Sequence, residues 1–391
     1  MEKALNPYEE DLPELLEKVV SEGSLEATTD TETAVRESDI TFLAVGTPMK
    51  EDGSINLDYI KQAAEDAAEG IKDKEGFHVF VVKSTVVPTT TEEEIIPILE
   101  EVSAKKAGEE FGVCMNPEFL REGTALNDFL EPDRIVIGEL DERSGDVLEK
   151  VYCDFDAPIM RTSLKAAELI KYASNSLLAT KISFINEIGN LCKELGIDVY
   201  EVADGVGMDS RLKRDFLNSG PGWGGSCFPK DVRALIKFMG DKEVDTDVLQ
   251  SAVKQNQKQK TRLVEILEDR TDIEGKTVAV LGLSFKPGTD DIRNSPAIDI
   301  ISELKEKGAK VKAYDPEAMD NMEEKYPDIE YSESAASALQ GADAGLIVTH
   351  WEEFNDITME EIRKMKNPVI IEGRKMEYEI LEEHREGITW P

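Results

Sequence analysis

The sequence predicts an α/β protein with two parallel sheets joined by a long central helix. Near the N-terminus short apolar strands alternate with helical stretches. After residue 276 the same alternation returns. Between them an unbroken helical period runs from Ser163 to Leu195. Short apolar strands with helices between them mark parallel sheets buried on both faces. Ligands of such sheets sit beyond the carboxyl ends of the strands.

In chain order, Asp39–Pro48 reads as a buried strand running into a Gly/Pro loop, and Leu57–Ile71 as a helix. Strand His78–Thr85, helix Thr91–Ala104 and strand Gly112–Asn116 continue the alternation. Three loops therefore fall at strand carboxyl ends: Gly46-Thr47-Pro48, Ser84-Thr85 and Asn116-Pro117-Glu118. From Ser163 onward Leu164, Ala167, Ile170, Ala173/Ser174, Leu177/Leu178, Ile182, Ile185, Ile188, Leu191 and Leu195 recur at three- to four-residue spacing, with no proline and with Gly196 as the stop. At 1.5 Å per residue this helix spans roughly 45 Å, long enough to join domains or to form an oligomer interface. Lys171 and Asn175 are four residues apart and share a face. They read either as a solvated lysine beside a neutral amide or as two polar groups aimed into a cleft. The third region opens on the strand at Thr277, followed by helix Pro296–Lys307 and strands near Lys310–Tyr314, Ala344–Thr349 and Val369–Ile371. Between its first strand and helix lie Lys286 and Arg293, cations beside a helix start. That position suits a phosphate; the alternative is surface charge.

The segment Gly220-Pro221-Gly222-Trp223-Gly224-Gly225-Ser226-Cys227-Phe228-Pro229-Lys230-Asp231 sets a thiol after a run of glycines and a carboxylate four residues later. Glycines let backbone approach a ligand and take left-handed turns. A thiol in such a loop is either a nucleophile, with Lys230 and Asp231 to tune it, or a buried cysteine in a tight structural turn. Gly220, Gly222 and Gly225 match G-x-G-x-x-G, but the upstream Asp209–Asn218 is charged and irregular. The match therefore lacks the strand that a dinucleotide loop requires.

The chain carries 82 acidic and 45 basic residues, a net charge of −37 spread along its whole length. Such a surface opposes nucleic acid and anionic membranes as partners and suits work at high salt, so a halophilic cytoplasm is expected. Cys114, Cys153, Cys192 and Cys227 show no paired spacing and no C-x-x-C, against a disulfide framework or a metal site. No apolar run approaches the ~18 residues of a membrane span, and the first residues lack a signal-peptide apolar region.

Six segments in order are similar to the UDP-glucose/GDP-mannose dehydrogenase family: Lys83-Ser84-Thr85-Val86, Asn116–Gly123, Glu168–Asn175, the Cys227 loop, Phe285–Arg293, and Glu372-Gly373-Arg374. The resemblance implies two Rossmann-like domains joined by the long helix, with an NAD-binding domain over 1–160, a dimerising helical domain over 161–260 and a UDP-sugar-binding domain over 261–391. The family opens with a strand and a G-x-G-Y-V-G turn that this sequence lacks. The difference is on the order of 50 residues, about one βαβ unit. The segment Asn6–Leu12 resembles the stretch just after that unit in the family. The N-terminal domain is therefore expected to be incomplete and to bind NAD weakly, through a misassigned start codon or a shortened gene product.

The resemblance also implies a reaction. The C6 alcohol of a nucleotide sugar is oxidised with NAD to an aldehyde, which Cys227 captures as a thiohemiacetal. A second oxidation gives a thioester, and water releases the acid. Lys171 and Asn175 would stabilise negative charge on oxygen, and Glu118 and Asp231 would do acid/base work, with Thr85 holding the water. Gly46, Thr47, Pro48, Thr85, Glu122, Lys230 and Arg293 match cofactor positions. Glu118, Phe119, Leu120, Lys171, Asn175, Gly224, Lys286 and Arg374 match substrate positions. Arg211 matches an arginine reaching across a homodimer interface. UDP-glucose is the expected substrate; GDP-mannose, another nucleotide sugar, or a silent nucleotide-sugar-binding subunit are the alternatives.

Overall fold

The computed structural model describes Glu9, residues 11–378 and residues 382–391; Asn6, Pro7, Tyr8 and Glu10 of the opening segment lie outside the described residues. The chain forms two compact units, Met1–Ser174 with Arg233–Glu243, and Asn175–Val232 with Val244–Pro391.

The first unit holds a five-stranded sheet of β1 (Ile40–Leu43), β2 (His78–Val82), β3 (Phe111–Met115), β4 (Ile135–Glu139) and β5 (Ile159–Ser163), in that spatial order. Its apolar strands β2 and β3 are buried along their whole length, as strands covered on both faces must be. The expectation of a wholly parallel sheet needs one correction, because β3 pairs antiparallel with β4. An antiparallel neighbour needs no crossover helix. The connecting residues 116–134 hold only the short helix Ala125–Leu130 and are left free to form a loop at the strand ends.

The helix expected over Thr91–Ala104 also departs from regular form. Thr91–Ile95 is a π-turn, and the α-helix begins at Ile96. Pro97 cannot donate a hydrogen bond to the preceding turn, so the helix widens there. The buried Glu168 carboxylate ties this turn down, accepting from Thr89 N at 2.7 Å, Thr91 N at 2.8 Å and Thr91 Oγ1 at 2.6 Å.

At the start of β2 the His78 ring is buried against Phe80, with Nε2 at 2.9 Å from Thr41 Oγ1 and Nδ1 at 2.9 Å from Ser38 O. Burial, then the Lys74 charge, pushes this imidazole down to about 4. The unfolded chain takes up that proton near pH 6.5, so stability is full above pH 6.5 and falls as pH drops toward 4. The loss is on the order of 3 kcal/mol. Thermal melts of His78→Gln between pH 7 and 4 are expected to have a shallower acid limb than the parent. An identical limb would place the acid sensitivity elsewhere.

The second unit holds a six-stranded, all-parallel sheet: β6 (Thr277–Leu281), β7 (Lys310–Tyr314), β8 (Glu330–Tyr331), β9 (Ala344–Ile347), β10 (Ile370–Glu372) and β11 (Arg385–Gly387), in the order β11-β10-β9-β6-β7-β8. Val278, Val280, Leu346 and Ile371 from the strands pack with Ile300, Ile301 and Leu304 of helix Pro296–Glu306. Each such side chain contributes about 1.5–3 kcal/mol by leaving water. Asp315, fully buried just after β7, accepts from Leu283 N at 2.6 Å, Trp351 Nε1 at 2.9 Å and Ala318 N at 2.8 Å. Those bonds fix the loop that leaves β6.

The central helix, Leu164–Leu195, has 32 residues and contributes to both units. Leu164, Ala167, Tyr172, Ala179, Ile185 and Cys192 are buried. Leu177, Phe184 and Leu191 are exposed at seven-residue intervals.

Candidate active site

In the first unit, the loops after β1, β2 and β3 lie at the carboxyl ends of parallel strands. Thr47 Oγ1 donates to Thr85 O at 2.8 Å and Ser84 Oγ to Val45 O at 2.6 Å, so the first two loops are tied together. At Gly46 an added Cβ would meet nothing within 4 Å, leaving open space beside the backbone. A loop of hydroxyls and accessible backbone at strand ends fits a dinucleotide.

The loop after β3 carries Glu118. Its Oε1 accepts from Lys171 Nζ at 2.9 Å, and its Oε2 from Leu120 N at 2.7 Å. Lys171 is only 3% exposed, which removes the solvated-lysine alternative. Phe119 lies between two cations, Arg134 at 3.9 Å from the ring centre and Lys171 at 5.5 Å. A ring so placed orients the ammonium while keeping water away from it. Glu122 lies further along the same loop, in the 122–123 turn before helix Ala125–Leu130.

In the second unit, Cys227 is an exposed free thiol, so the buried-turn alternative is set aside. It stands directly before helix Phe228–Asp241, and its carbonyl accepts the Asp231 N–H at 2.9 Å. The start of a helix favours negative charge on a neighbouring group. Ser226 Oγ is 3.6 Å from the sulfur. Asp231 is buried, with Oδ2 accepting from Asn175 Nδ2 at 2.6 Å and Oδ1 from Lys230 Nζ at 2.6 Å. The structure thus brings Asn175, Lys230 and Asp231 together one helical turn behind the thiol.

The glycines have steric reasons. At Gly224 a Cβ would come 2.3 Å from Asn294 O, and at Gly220 2.5 Å from the Arg374 guanidinium. Gly222 and Gly225 take φ of +105° and +79°. Gly225 N donates to Arg293 O at 2.8 Å and Asn294 Nδ2 to Gly225 O at 3.0 Å. The segment expected to hold a phosphate therefore also braces the thiol loop. The Arg293 side chain itself pairs with Asp291 at 2.8 Å.

Arg374 donates to Ser219 O at 3.1 Å and Gly222 O at 3.4 Å. With Lys286, His350, Phe285 and Pro221 it lines a small cleft. Burial pushes the Arg374 pKa down, and a bound anion would offset that cost. Arg211 stands apart from these groups, exposed and paired with Asp209.

Sequence reasoning missed the residues that clamp the thiol loop. Asn256, buried, binds both Trp223 N at 2.7 Å and Trp223 O at 2.9 Å. Gln259 Nε2 donates to Gly220 O at 3.0 Å, and Asn186 Oδ1 accepts from Gly220 N at 2.8 Å. The signal for two of them was Asn256 and Gln259, amides three residues apart on a face they share with the buried Ala252.

Three profiles of one family match this chain in order. Its NAD binding domain covers residues 1–156, its central domain 165–258 and its UDP binding domain 279–377. The chain belongs to the UDP-glucose/GDP-mannose dehydrogenase family. It is an NAD-dependent dehydrogenase of that family. UDP-glucose 6-dehydrogenase AglM of Haloferax volcanii is 46% identical over 374 residues, covering 94% of this chain and 86% of that protein. UDP-glucose 6-dehydrogenase TuaD of Bacillus subtilis is 42% identical over 372 residues, covering 94% of this chain and 79% of its own. Among solved structures, a UDP-glucose dehydrogenase from the hyperthermophilic archaeon Pyrobaculum islandicum superposes with a TM-score of 0.90 at 40% identity, over 98% of this chain and 87% of that one. Among the described residues no helix is long and apolar enough to cross a membrane.

Proposed function

We propose that the chain oxidises UDP-glucose to UDP-glucuronate in two steps at one thiol. The observation that carries the reading is Cys227, exposed in a clamped glycine loop, with Asp231, Lys230 and Asn175 bonded together behind it. NAD supplies the hydride acceptor for both oxidations. Lys171, Asn175 and Glu118 hold the C6 oxygen and take up its proton. The Cys227 thiolate adds to the aldehyde carbon, forming a C–S bond as the carbonyl electrons move to oxygen. After the second oxidation, water held by Thr85 and activated by Asp231 or Glu118 attacks the thioester carbon. The C–S bond then breaks and the thiolate is restored. Gly46, Thr47, Pro48, Glu122, Lys230 and Arg293 are the cofactor contacts of this reading. Phe119, Leu120, Gly224, Lys286 and Arg374 are its substrate contacts, and Arg211 acts in a homodimer. The three-part division at residues 160 and 260 and a cytoplasmic location belong to the same reading. The four free cysteines support that location.

Supplied with UDP-glucose and NAD, the protein is expected to form two NADH per sugar and release a carboxylic acid. One NADH with free aldehyde would defeat the two-step scheme. Turnover of GDP-mannose in preference to UDP-glucose would reassign the substrate. Tight sugar-nucleotide binding with no NADH from any of them would mark a silent binding subunit.

A further inference from the structure

Lys83 is a half-buried cation with no role in the proposed reaction, although it sits beside groups that carry it. It follows β2 directly, at the strand's carboxyl end. Its Nζ donates to Asn116 Oδ1 at 2.8 Å. Among the described residues no carboxylate lies within ion-pair distance of it. A lysine held within protein usually has an acid partner; this one has a neutral amide.

Asn116 is itself locked. It is 1% exposed, its Nδ2 donates to Val136 O at 2.8 Å, and its Oδ1 also accepts from Tyr152 OH at 2.5 Å. The amide oxygen therefore faces Lys83 with both lone pairs used. The groups facing Lys83 can be named by element. The loop after β3 supplies Asn116, in contact, and two residues further on Glu118; the central helix supplies Lys171, bonded to Glu118. The chain just after helix Glu142–Val151 supplies Tyr152, its ring centre 6.0 Å from Nζ and its hydroxyl pushed up to about 12 by burial. Burial pushes the Lys83 amine down to about 8, Glu118 opposes that shift and Lys171 adds to it. Lys83 is thus joined through Asn116 to the loop that carries Glu118, and Glu118 holds Lys171 at 2.9 Å; with Glu118 ionised and Lys171 protonated, these three groups carry a net charge of +1 when Lys83 is protonated and zero when it is not.

We propose that Lys83 is a positioning residue of the Glu118–Lys171 pair, an ammonium whose proton sets the net charge of the cluster that receives the substrate oxygen. The proposal rests on the reading of Glu118 and Lys171 as the oxygen-binding pair. With Lys83 protonated, negative charge developing on the substrate oxygen meets a net positive cluster. Once the proton is lost, that attraction weakens. Lys83 acts through Asn116 and the cluster field and touches no reacting atom in this scheme.

The test has one arm that does not depend on turnover. In the full chain carrying ¹³C at lysine Cε, the Lys83 resonance, assigned by its loss in Lys83→Met, is expected to titrate about two units below an ordinary lysine. Its midpoint is expected to fall in Glu118→Gln and rise in Lys171→Met. An ordinary lysine midpoint, or one that moves in neither variant, overturns the proposal. The second arm is kinetic. The parent kcat is expected to decline as pH rises through about 8, and Lys83→Met to lose that limb. At neutral pH the variant's kcat should be about ten-fold lower with KM within about three-fold. Lys83→Gln, which keeps a donor for Asn116, is expected to show the same flat profile with a wild-type melting midpoint. A retained alkaline limb in both variants also overturns the proposal. If the NMR coupling is found but no nucleotide sugar is oxidised, the functional reading fails and the charge coupling stands.

Discussion

Replacing Cys227 by serine is expected to lower acid formation at least a thousand-fold, equivalent to about 4 kcal/mol of barrier. The thiolate is far more nucleophilic than a serine hydroxyl at neutral pH, where the hydroxyl is almost wholly un-ionised. The loop should survive the change. Cys227 is exposed, and the loop's shape is fixed by Asn256, Gln259, Asn186 and the Asn294 amide rather than by the sulfur. The UDP-glucose dissociation constant, measured by calorimetric titration, is therefore expected to stay within about three-fold of the parent. A single-turnover experiment should still form one NADH, because the first oxidation needs no thiol. Near-normal steady-state production of acid by the serine variant would sink the assignment of Cys227 as the covalent nucleophile.

Where a physical period or a turn residue decides the structure, it was legible. The central helix emerged within one residue of its expected span, because its apolar period is unbroken and Gly196 ends it. Strands β2, β3 and β6 were readable as apolar runs closed by polar or glycine residues. Strand β5 was not, since Ile159-Met160-Arg161-Thr162-Ser163 is only partly buried and has no apolar run. The antiparallel turn between β3 and β4 has no local signal either, because strand direction depends on the path of residues 116–134. In the candidate site, the resemblance named residues to look at, but it named none of the side chains that support them. Asn256, Gln259 and Asn186 look like ordinary polar positions on helices until the loop they hold is in place. Lys83 reads as a strand-end lysine until Asn116 and Tyr152 close around it. Sequence carries the identity of a group; only the fold supplies its neighbours.

The exposed stripe on the central helix gives the second large effect. Leu177, Phe184 and Leu191 recur every seven residues, and Leu195 follows one turn later, all more than half exposed. The opposite face of the same helix is already buried, so this stripe is a second apolar face. A seven-residue repeat is the spacing at which one helix meets another along its length. We propose a homodimer through this face, and two-fold symmetry means each substitution counts twice. Phe184→Glu with Leu191→Glu removes four large side chains from the interface. At about 1.5–3 kcal/mol each, the dissociation constant should rise at least a thousand-fold. Sedimentation at micromolar protein is expected to find a dimer for the parent and a monomer for the double variant. Melting midpoints of the monomeric units should change little, because these side chains face solvent within one chain. The measurement belongs at molar salt. Two copies carry a net charge of −37 each, and lowering salt from ~1 M to ~0.1 M lengthens the screening distance from about 3 Å to about 10 Å. The parent dimer is accordingly expected to weaken on dilution of salt. A double variant that remains dimeric at molar salt would exclude this helix face as the interface.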